Sequence, residues 1–379
     1  MSINERRFKK CFYFSRSKPF VDSGGGGRRR THQVFETLRA LAPCEFITAV
    51  ISDRKTHRKI HSKFRLYCTR YFVTGGEYKL WSPDRRMALY RLRAIARNWT
   101  KKGLNLTECD AAVVEDPIYF KPLVQKLKKL GIPVFASCQN IESLSYGQVS
   151  LKNQKGIFAS EIDTLGLCDL AITISREDAW LLNCFNIRTF YFPYYPPQSV
   201  RDRMLAIRES RRNKKKENII LLGNAGNIAT RKGMRKAVEY WRANNLENLA
   251  GKLLVAGYET DIHFDDIQSY PGIDFLGPLS NDELDKKIAG VKACLCYQED
   301  GGGALTRIGE MLLAAVPVLS NTNSARSYYN LKGVIEFRDL PDLKDALAQL
   351  DRFDEKIPEP TEPDPSALIN EIKRIATAI

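Results

Sequence analysis

The chain has 379 residues, of which 44% are hydrophobic, and it carries a formal net charge of +15. This length favours two domains, and the apolar content is sufficient for buried cores. No run of about 18 apolar residues occurs, so no membrane-spanning helix is predicted, and nine scattered cysteines without a CxxC pair favour a reduced, cytoplasmic protein over a disulfide or zinc framework.

The first half of the chain alternates short apolar runs with helical stretches. Strands are predicted at residues 10–15, 46–51, 111–115, 132–137 and 170–175, and helices at 28–43, 84–102 and 122–130. The helix at 84–102 is basic and amphipathic. Strands that alternate with helices indicate a parallel sheet with helices on both faces.

Prolines and a charge run interrupt this pattern between residues 193 and 218, after which the alternation restarts. We therefore predict a Rossmann-like domain over 1–200, a basic linker over 201–216, a second Rossmann-like domain over 217–357, and a proline-rich tail with a helix over 358–379. The positive charge lies before residue 217, and the remainder is mildly acidic. A basic first half predicts an anionic partner, such as a phospholipid surface, a lipid diphosphate or nucleic acid.

Residues 301–321 contain the most informative motif, in which three glycines precede Thr306, Arg307 and Glu310 at a predicted helix start. Glycines let a ligand approach the backbone, and a helix N-terminus offers N–H groups to a phosphate. Thr306 and Glu310 share one helix face, about 6 Å apart along the axis. A diphosphate at the helix start would place a ribose beside Glu310, whose carboxylate can accept hydrogen bonds from two hydroxyls. The motif therefore predicts a site for a nucleoside diphosphate that carries a sugar.

The same stretch resembles a motif of the family 4 glycosyltransferases, which have the GT-B fold. The chain keeps Gly301, Gly302 and Gly303, a basic residue at Arg307, the acid at Glu310 and the Val-Pro-Val at 316–318, and it departs at Ala304, Leu305 and Ala315. In the family, the acid binds the ribose and the glycine loop binds the phosphates. Gly302 stands where a second family Glu contacts the donor sugar, and Glu299 and Asp300 lie at a different spacing.

The resemblance implies an α/β fold with two Rossmann-like, doubly wound parallel-sheet domains facing across a cleft. It implies that the first domain binds the acceptor, that the second binds the nucleotide sugar, and that the tail helix packs back on the first domain. It also implies a retaining reaction, in which the leaving diphosphate takes the acceptor proton.

Residues 223–233 resemble the diphosphate-binding segment of the same family. Lys232 is kept, Arg231 stands beside it, and Asn224 replaces the first arginine. We predict that Lys232, helped by Arg231 and the loop at Gly223, binds the diphosphate. The alternative is a solvated helix lysine.

A second glycine loop, formed by Gly24, Gly25, Gly26 and Gly27 and followed by Arg28, comes between a strand and a helix. GT-B enzymes place such a loop beside the donor phosphates and the acceptor, whereas a bare glycine run is also typical of a surface loop. Basic residues at a helix start oppose the helix dipole, which favours a bound anion there. We predict an acceptor or diphosphate loop.

Gln139 and Asn140 follow a strand, where α/β sheets place their ligands. They resemble the family's His-Asn pair, whose His contacts the donor sugar near the reaction centre. Gln139 can form hydrogen bonds but cannot carry a proton at neutral pH, so it is a candidate catalytic residue that does not act as a general base. The alternative is a structural role at the strand end.

The histidines do not form a metal set. His57 and His61 are four residues apart, but they lie in a strongly basic run that would repel a cation. We predict no metal and no other cofactor.

These patterns predict a retaining glycosyltransferase that moves a sugar from a UDP or GDP sugar to a glycan or glycolipid acceptor, at the cytoplasmic face of an anionic membrane. One alternative is a GT-B-like protein that binds nucleotide or glycan with little catalysis, because several family residues are replaced. A nucleic-acid binder is the other, but we expect no nucleic acid partner because no reading motif is evident.

Overall fold

A computed structural model of the chain describes residues 8–15, 25–48, 105–144, 151–264, 266, 270–350 and 356–378. The chain divides into two units. The first contains the described residues within Met1–Phe20, Arg30–Pro193 and Asp364–Ile379, and the second contains those within Val21–Arg29 and Tyr194–Pro363. The predicted helix at 84–102 and the end of the predicted strand at 46–51 lie outside the described residues.

The first unit is built on one parallel sheet. Its strands are β1 (Cys11–Ser15), β2 (Cys44–Thr48), β3 (Ala111–Glu115), β4 (Val134–Cys138), β5 (Leu170–Thr173) and β6 (Thr189–Tyr191), in the spatial order β2-β1-β3-β4-β5-β6. Helix α1 (Gly26–Arg39) lies between β1 and β2. The helices α2 (Lys121–Lys129), α3 (Leu151–Leu165) and α4 (Arg176–Asn183) precede β4, β5 and β6, respectively. The division between the units falls inside α1, so its first residues are described with the second unit.

The second unit repeats this plan. Its strands are β7 (Glu217–Leu222), β8 (Leu253–Ala256), β9 (Ile273–Gly277), β10 (Val291–Cys296), β11 (Val318–Asn321) and β12 (Val334–Phe337), in the order β12-β11-β10-β7-β8-β9. Its helices are α5 (Gln198–Arg211), α6 (Ile228–Ala243), α7 (Glu247–Ala250), α8 (Thr260–His263), α9 (Asn281–Gly290), α10 (Thr306–Leu313) and α11 (Leu343–Leu350). The last helix, α12 (Pro365–Thr377), belongs to the first unit.

Each sheet has an apolar core on each of its two faces, and successive side chains of a strand enter alternate cores because they point to opposite sides. In β1, Phe12 and Phe14 enter one apolar core, while Cys11 and Tyr13 enter the other. In β10, Leu295 and the two strand cysteines divide between two cores in the same way. This alternation explains why the strands appear in the sequence as continuous apolar runs.

Helix α5 (Gln198–Arg211) covers most of the segment predicted as a basic linker over 201–216. Val200, Met204 and Ile207 recur at helical spacing and are buried in a core of the second unit. Arg208 donates to the carbonyl oxygens of Leu312 and Leu313 at 2.7 and 2.6 Å. The apolar stripe, which the run of charges obscures in the sequence, makes these residues a packed helix rather than an exposed connection.

Helix α12 packs into the core of the first unit. Leu368, Ile372 and Ile375 are at most 2% exposed and share an apolar cluster with Tyr13 and Val34. The helix begins after Asp364, whose side chain accepts a hydrogen bond from the backbone N–H of Ser366. The chain therefore returns to its first unit at the C-terminus.

The observed architecture confirms the predicted fold class of two Rossmann-like units with parallel sheets and flanking helices. Among the helices of the described residues, none combines the length and apolarity that a bilayer crossing requires.

Candidate functional site

The second sheet has one point where the strand order reverses. Strand β7 lies between β8 and β10, so the chain first builds the sheet on one side of β7 and then on the other. In open α/β sheets, ligands bind outside the carboxyl ends of the strands at this point. The loops that follow β7 and β10 therefore bound the first place to search for a ligand.

The loop after β10 is fixed by side-chain amides. The backbone N–H of Gln298 donates to Asn321 Oδ1 at 3.1 Å, and Asn321 Nδ2 donates back to the Gln298 carbonyl at 2.7 Å. Gln298 Nε2 reaches Thr230 Oγ1 of α6 at 3.1 Å. These bonds join the end of β10 to β11 and to α6, so the loop starts from a defined position.

The glycines at 301–303 form this loop. The sequence predicts instead that they open the helix, which begins later in the structure. Gly301 and Gly303 have φ angles of 113° and 71°, which L-residues rarely adopt. Helix α10 begins at Thr306, and Leu305 precedes it without a side-chain cap. Positive φ angles at two of the three glycines let the chain turn before it enters α10.

Glu310, one turn into α10, is buried and already has partners. It is 7% exposed. Arg29 Nη1 lies 2.6 Å from both carboxylate oxygens, and Tyr194 Oη donates to Oε1 at 2.7 Å. Burial, followed by the Glu310 carboxylate, raises the pKa of Tyr194, which keeps its hydroxyl a donor. The basic residues at the start of α1 predict an anion beside them. For Arg29, that anion is the carboxylate of Glu310.

Arg307 brings a cation to the point where the strand order reverses. Its guanidinium donates a hydrogen bond to the carbonyl of Leu222, the last residue of β7. The next residue is Gly223, where an added Cβ would lie 3.0 Å from Arg307 Nη1 and 2.4 Å from Met234 Sδ. Glycine at this position therefore leaves room for the arginine and for α6.

Lys232 approaches the same point from α6. The adjacent Gly233 packs against the end of β10, and an added Cβ there would lie 2.1 Å from the carbonyl oxygen of Tyr297. This close packing brings Lys232 Nζ to 3.8 Å from Asp300 Oδ2 in the loop after β10. The lysine side chain is 46% exposed, so it can reach a ligand outside the strand ends.

Arg231 contacts different neighbours from Lys232. Its Nη1 lies 3.3 Å from the carbonyl oxygen of Ala225 and 2.9 Å from Nε2 of His263 in α8. These contacts hold the guanidinium against the loop after β7 and against α8. Its predicted part in binding a diphosphate stays a prediction.

The first glycine loop is described only from residue 25, so Gly24 lies outside the described residues. Helix α1 begins at Gly26, and a Cβ added there would lie 1.8 Å from Thr306 Oγ1. Gly25 has open space around it, Gly27 lies in the first turn, and Arg28 is exposed. The loop thus meets the start of α10, and its predicted role in binding a ligand stays a prediction.

The first unit has its own polar cluster at the strand ends. There β1 lies between β2 and β3, so the strand order reverses between β1 and β3. Glu115 ends β3 at 2% exposure and accepts a hydrogen bond from Thr31 Oγ1 at 2.9 Å. Gln139, just beyond β4, donates from Nε2 to Thr31 Oγ1 at 3.0 Å and also to Glu115.

Asn140 is engaged by a buried acid in the same loop. Its Nδ2 donates to Glu142 at 2.6 Å, and Tyr119 Oη donates to the other oxygen of Glu142 at 2.7 Å. Glu161 of α3 accepts the backbone N–H groups of Glu142 and Ser143 at 2.8 Å each. Burial raises the pKa of Glu161 to about 7. Asn140 is therefore held as part of the loop that carries Gln139.

Among the described residues, no group of three or more His, Cys, Asp and Glu side chains is arranged to hold a metal ion. His57 and His61 lie outside the described residues. The absence of a metal or other cofactor stays a prediction.

Comparison with known proteins adds support for the fold. No family model matches the chain, and no curated protein matches it. Solved structures match over nearly its whole length. TarM matches with a TM-score of 0.63 and 11% identity, and the match covers 99% of this chain and 100% of TarM. HepE of Anabaena in complex with UDP and glucose has a TM-score of 0.58 and 11% identity, with 98% of each chain covered, and sucrose-phosphate synthase of Thermosynechococcus elongatus has a TM-score of 0.57 and 13% identity, with 98% of this chain and 94% of that chain covered. At these identities the likeness shows the fold, which is that of GT-B proteins.

Proposed function

We propose that this protein transfers a sugar from a nucleoside diphosphate sugar to a saccharide acceptor, with retention of configuration at the transferred carbon. One observation carries the proposal. At the reversal of strand order in the second unit, Arg307 reaches the end of β7 and Lys232 reaches the loop after β10. Two cations beside glycine-rich loops fit a diphosphate, which needs positive charge and close backbone approach.

Glu310 is the residue proposed to accept a hydrogen bond from the ribose of the nucleotide. A carboxylate offers about four lone-pair sites. Arg29 and Tyr194 use three of them, so Glu310 can receive one ribose hydroxyl at Oε2. Those two side chains hold the carboxylate in one orientation. The nucleotide is expected to be UDP or GDP, and the structural likeness to HepE in complex with UDP and glucose favours UDP.

The proposed reaction uses charge stabilisation rather than a protein base. The bond from the sugar to the diphosphate breaks, and negative charge develops on the leaving phosphate. Arg307 and Lys232 would stabilise that charge, an effect that is often the largest single contribution to catalysis. A bond forms from the same sugar carbon to the acceptor oxygen, and the leaving phosphate would accept the proton of that acceptor hydroxyl on the same face.

Turnover of nucleotide sugars tests the proposal. The purified protein is incubated with UDP and GDP sugars and mixed oligosaccharide acceptors, and release of the nucleoside diphosphate is measured with and without EDTA. We expect release from one donor, unchanged by EDTA. Lys232→Ala should lower kcat/KM about 10- to 100-fold, the loss of one charge-assisted hydrogen bond.

Lys236 supplies the matched control, because it lies one turn further along α6 and pairs with Glu299 on the surface. Lys236→Ala should change kcat/KM less than about 3-fold, since exposed pairs contribute little. If the two variants lose kcat/KM to the same extent, the role proposed for Lys232 is wrong. Failure of every donor would remove the proposed activity.

The acceptor is proposed to bind the first unit and to be lipid-linked or part of a cell-surface polysaccharide. The basic first half of the chain motivates this proposal. In α5, however, Arg203 pairs with Asp285 and Arg208 bonds to helix carbonyls, so this segment offers a membrane fewer cations than its sequence indicates. Flotation with neutral and anionic liposomes tests the membrane contact, and equal recovery from both would contradict it.

A binding protein with little turnover is the second candidate. Gly302 and Asn224 replace charged residues of the family motif, and Glu310 is already ion-paired. Nucleotide binding without release of a nucleoside diphosphate from any donor would favour this candidate over the transferase.

A further inference from the structure

Arg326, in the loop after β11, contacts the glycine loop of the proposed nucleotide site. Its Nη1 donates a hydrogen bond to the carbonyl oxygen of Gly301. The two residues are 25 positions apart, and Arg326 lies outside the motifs that the sequence offers. Both belong to the second unit. The contact therefore adds a third loop to the site, beside the loops after β7 and β10.

The backbone that carries Arg326 is held in place. The neighbouring Ala325 and Ser327 are 0% and 5% exposed. The backbone N–H of Ser324 donates to Asn321 Oδ1 at 3.3 Å, and that of Ala325 donates to the Asn321 carbonyl at 2.9 Å. Because the Asn321 side chain also bonds to the backbone after β10, the turn with Arg326 and the glycine loop start from one anchor.

The hydrogen bond to Gly301 sets the direction of the glycine loop. Gly301 has a φ of 113°, in a region that glycine adopts readily, so its backbone needs a partner to hold one conformation. In a planar peptide group the carbonyl and the following N–H point in opposite directions. A bond that fixes the Gly301 carbonyl therefore also fixes the N–H of Gly302.

Gly301 lies against the first turn of α6. A Cβ added at Gly301 would lie 4.0 Å from Cβ of Ala229, the second residue of that helix. A helix N-terminus attracts phosphate through its N–H groups and its dipole. Since Gly301 adjoins α6, whereas α10 carries Glu310 for the ribose, we assign to this place the phosphate farther from the ribose.

Arg326 also adds to the positive charge that Lys232 and Arg307 bring to the site. The contacts that Arg307 and Arg326 make with backbone carbonyls bring this charge without cancelling it, because a carbonyl has no net charge. A nucleoside diphosphate carries more negative charge than a monophosphate. A further cation beside the glycine loop therefore favours the diphosphate.

We propose that Arg326 is a positioning residue of the nucleoside diphosphate site, which holds the peptide group after Gly301 in its binding conformation and adds positive charge beside the outer phosphate. The identity of the ligand rests on the proposed function. A guanidinium suits both tasks, because one nitrogen donates to the carbonyl while the charge is spread over the whole planar group. Lysine has the charge without this fixed geometry, so it replaces arginine only in part.

Nucleotide binding to the purified full chain tests the role beside the phosphate. Calorimetry gives the Kd of UDP, UMP, GDP and GMP. For the diphosphate that binds, we expect Arg326→Met to raise Kd about 10- to 100-fold, the loss of one charge-assisted contact. Arg326→Lys should raise the same Kd about 3- to 10-fold, because the charge remains. The Kd of the matching monophosphate should change less than about 3-fold in either variant, since it lacks the outer phosphate.

Arg338 supplies the matched control, because it is exposed and directly follows β12. Arg338→Met should change each Kd less than about 3-fold. An equal rise for the monophosphate and the diphosphate in Arg326→Met would show a purely structural role and overturn the proposal. A rise for the diphosphate no larger than in Arg338→Met would overturn it as well.

Hydrogen exchange tests the positioning without a ligand. Mass spectrometry follows the amides of residues 299–305, and we expect Arg326→Met to speed their exchange at least about 5-fold, the worth of one hydrogen bond to a mobile loop. Peptides from β7 and β10 should keep their wild-type rates, which shows that the variant is folded. If Arg326→Met does not fold, Arg326→Lys decides. An unchanged rate in the glycine loop of the folded variant would overturn the positioning.

The two measurements separate the inference from the proposed function. If UDP or GDP binds and its Kd is unchanged in Arg326→Met, the role of Arg326 is wrong and the proposed function stands. If neither binds the wild type, the proposed function is wrong and the phosphate contact with it. The exchange rates then still decide whether Arg326 holds the glycine loop.

Discussion

The buried ion pair between Arg29 and Glu310 gives the sharpest stability prediction. Their side chains are 14% and 10% exposed, and Arg29 Nη1 lies 2.6 Å from both carboxylate oxygens. Arg29→Met removes the cation, and among the described residues Tyr194 then remains as the hydrogen-bond donor to the Glu310 carboxylate. Removal of one partner of a buried pair costs about 3–5 kcal/mol. Since the retained tyrosine bond favours the lower end, we expect about 3 kcal/mol, or about 6–12 °C in Tm.

Fluorescence of Trp241 reports this loss, because Trp241 is fully buried in a core of the second unit. Urea unfolding is followed with the other tryptophans replaced by Phe. The double variant Arg29→Met/Glu310→Gln removes the buried charge as well and should recover most of the loss. A cost below about 1 kcal/mol for the single variant, or no recovery in the double variant, would refute the view that Arg29 stabilises a buried Glu310.

Three further predictions use other parts of the structure. Arg211 is 3% exposed and donates to carbonyl oxygens at the end of α9, so Arg211→Met should lower the urea-unfolding free energy by about 3 kcal/mol, as unpaired buried carbonyls are costly. Gly233→Ala should lower the same free energy by about 1–3 kcal/mol and weaken nucleotide binding, while the unhindered Gly290→Ala should do neither. Burial raises the pKa of Glu161 from 4.5 to about 7, so the stability of the wild type relative to Glu161→Gln should be full below pH 4.5 and fall by about 3 kcal/mol as pH rises through 7, measured as the difference in Tm across pH.

The sequence was sufficient for strands β1 to β5 of the first unit, whereas the three-residue strand β6 was not predicted. Strands such as β3 are buried on both faces, and their apolar runs are visible without tertiary information. The glycines and cations that the sequence places after two strands follow the ends of β7 and β10 in the structure. Helix α5 was missed because charged residues between Val200, Met204 and Ile207 resemble a solvated linker, although the apolar spacing was present.

The partners of the site residues could not be predicted in the same way. Arg29 and Glu310 are 281 positions apart, so no local pattern joins them. The hydrogen bonds of Gln139 to Thr31 and Glu115 depend on the register of β3 against β4 and on the position of Thr31 in α1. Such contacts follow from how strands and helices assemble, which periodicity and motif spacing do not encode.

The central claim is that the strand reversal in the second unit binds a nucleoside diphosphate. A thermal-shift screen with UDP, GDP, ADP, CMP and dTDP tests it directly, because a ligand that binds the folded state stabilises it by about 2.7 kcal/mol at 100 times its Kd. We predict that one diphosphate raises the Tm of the second unit and that Lys232→Ala and Glu310→Ala each abolish the rise. No rise with any diphosphate, or a rise that survives both substitutions, would contradict the account.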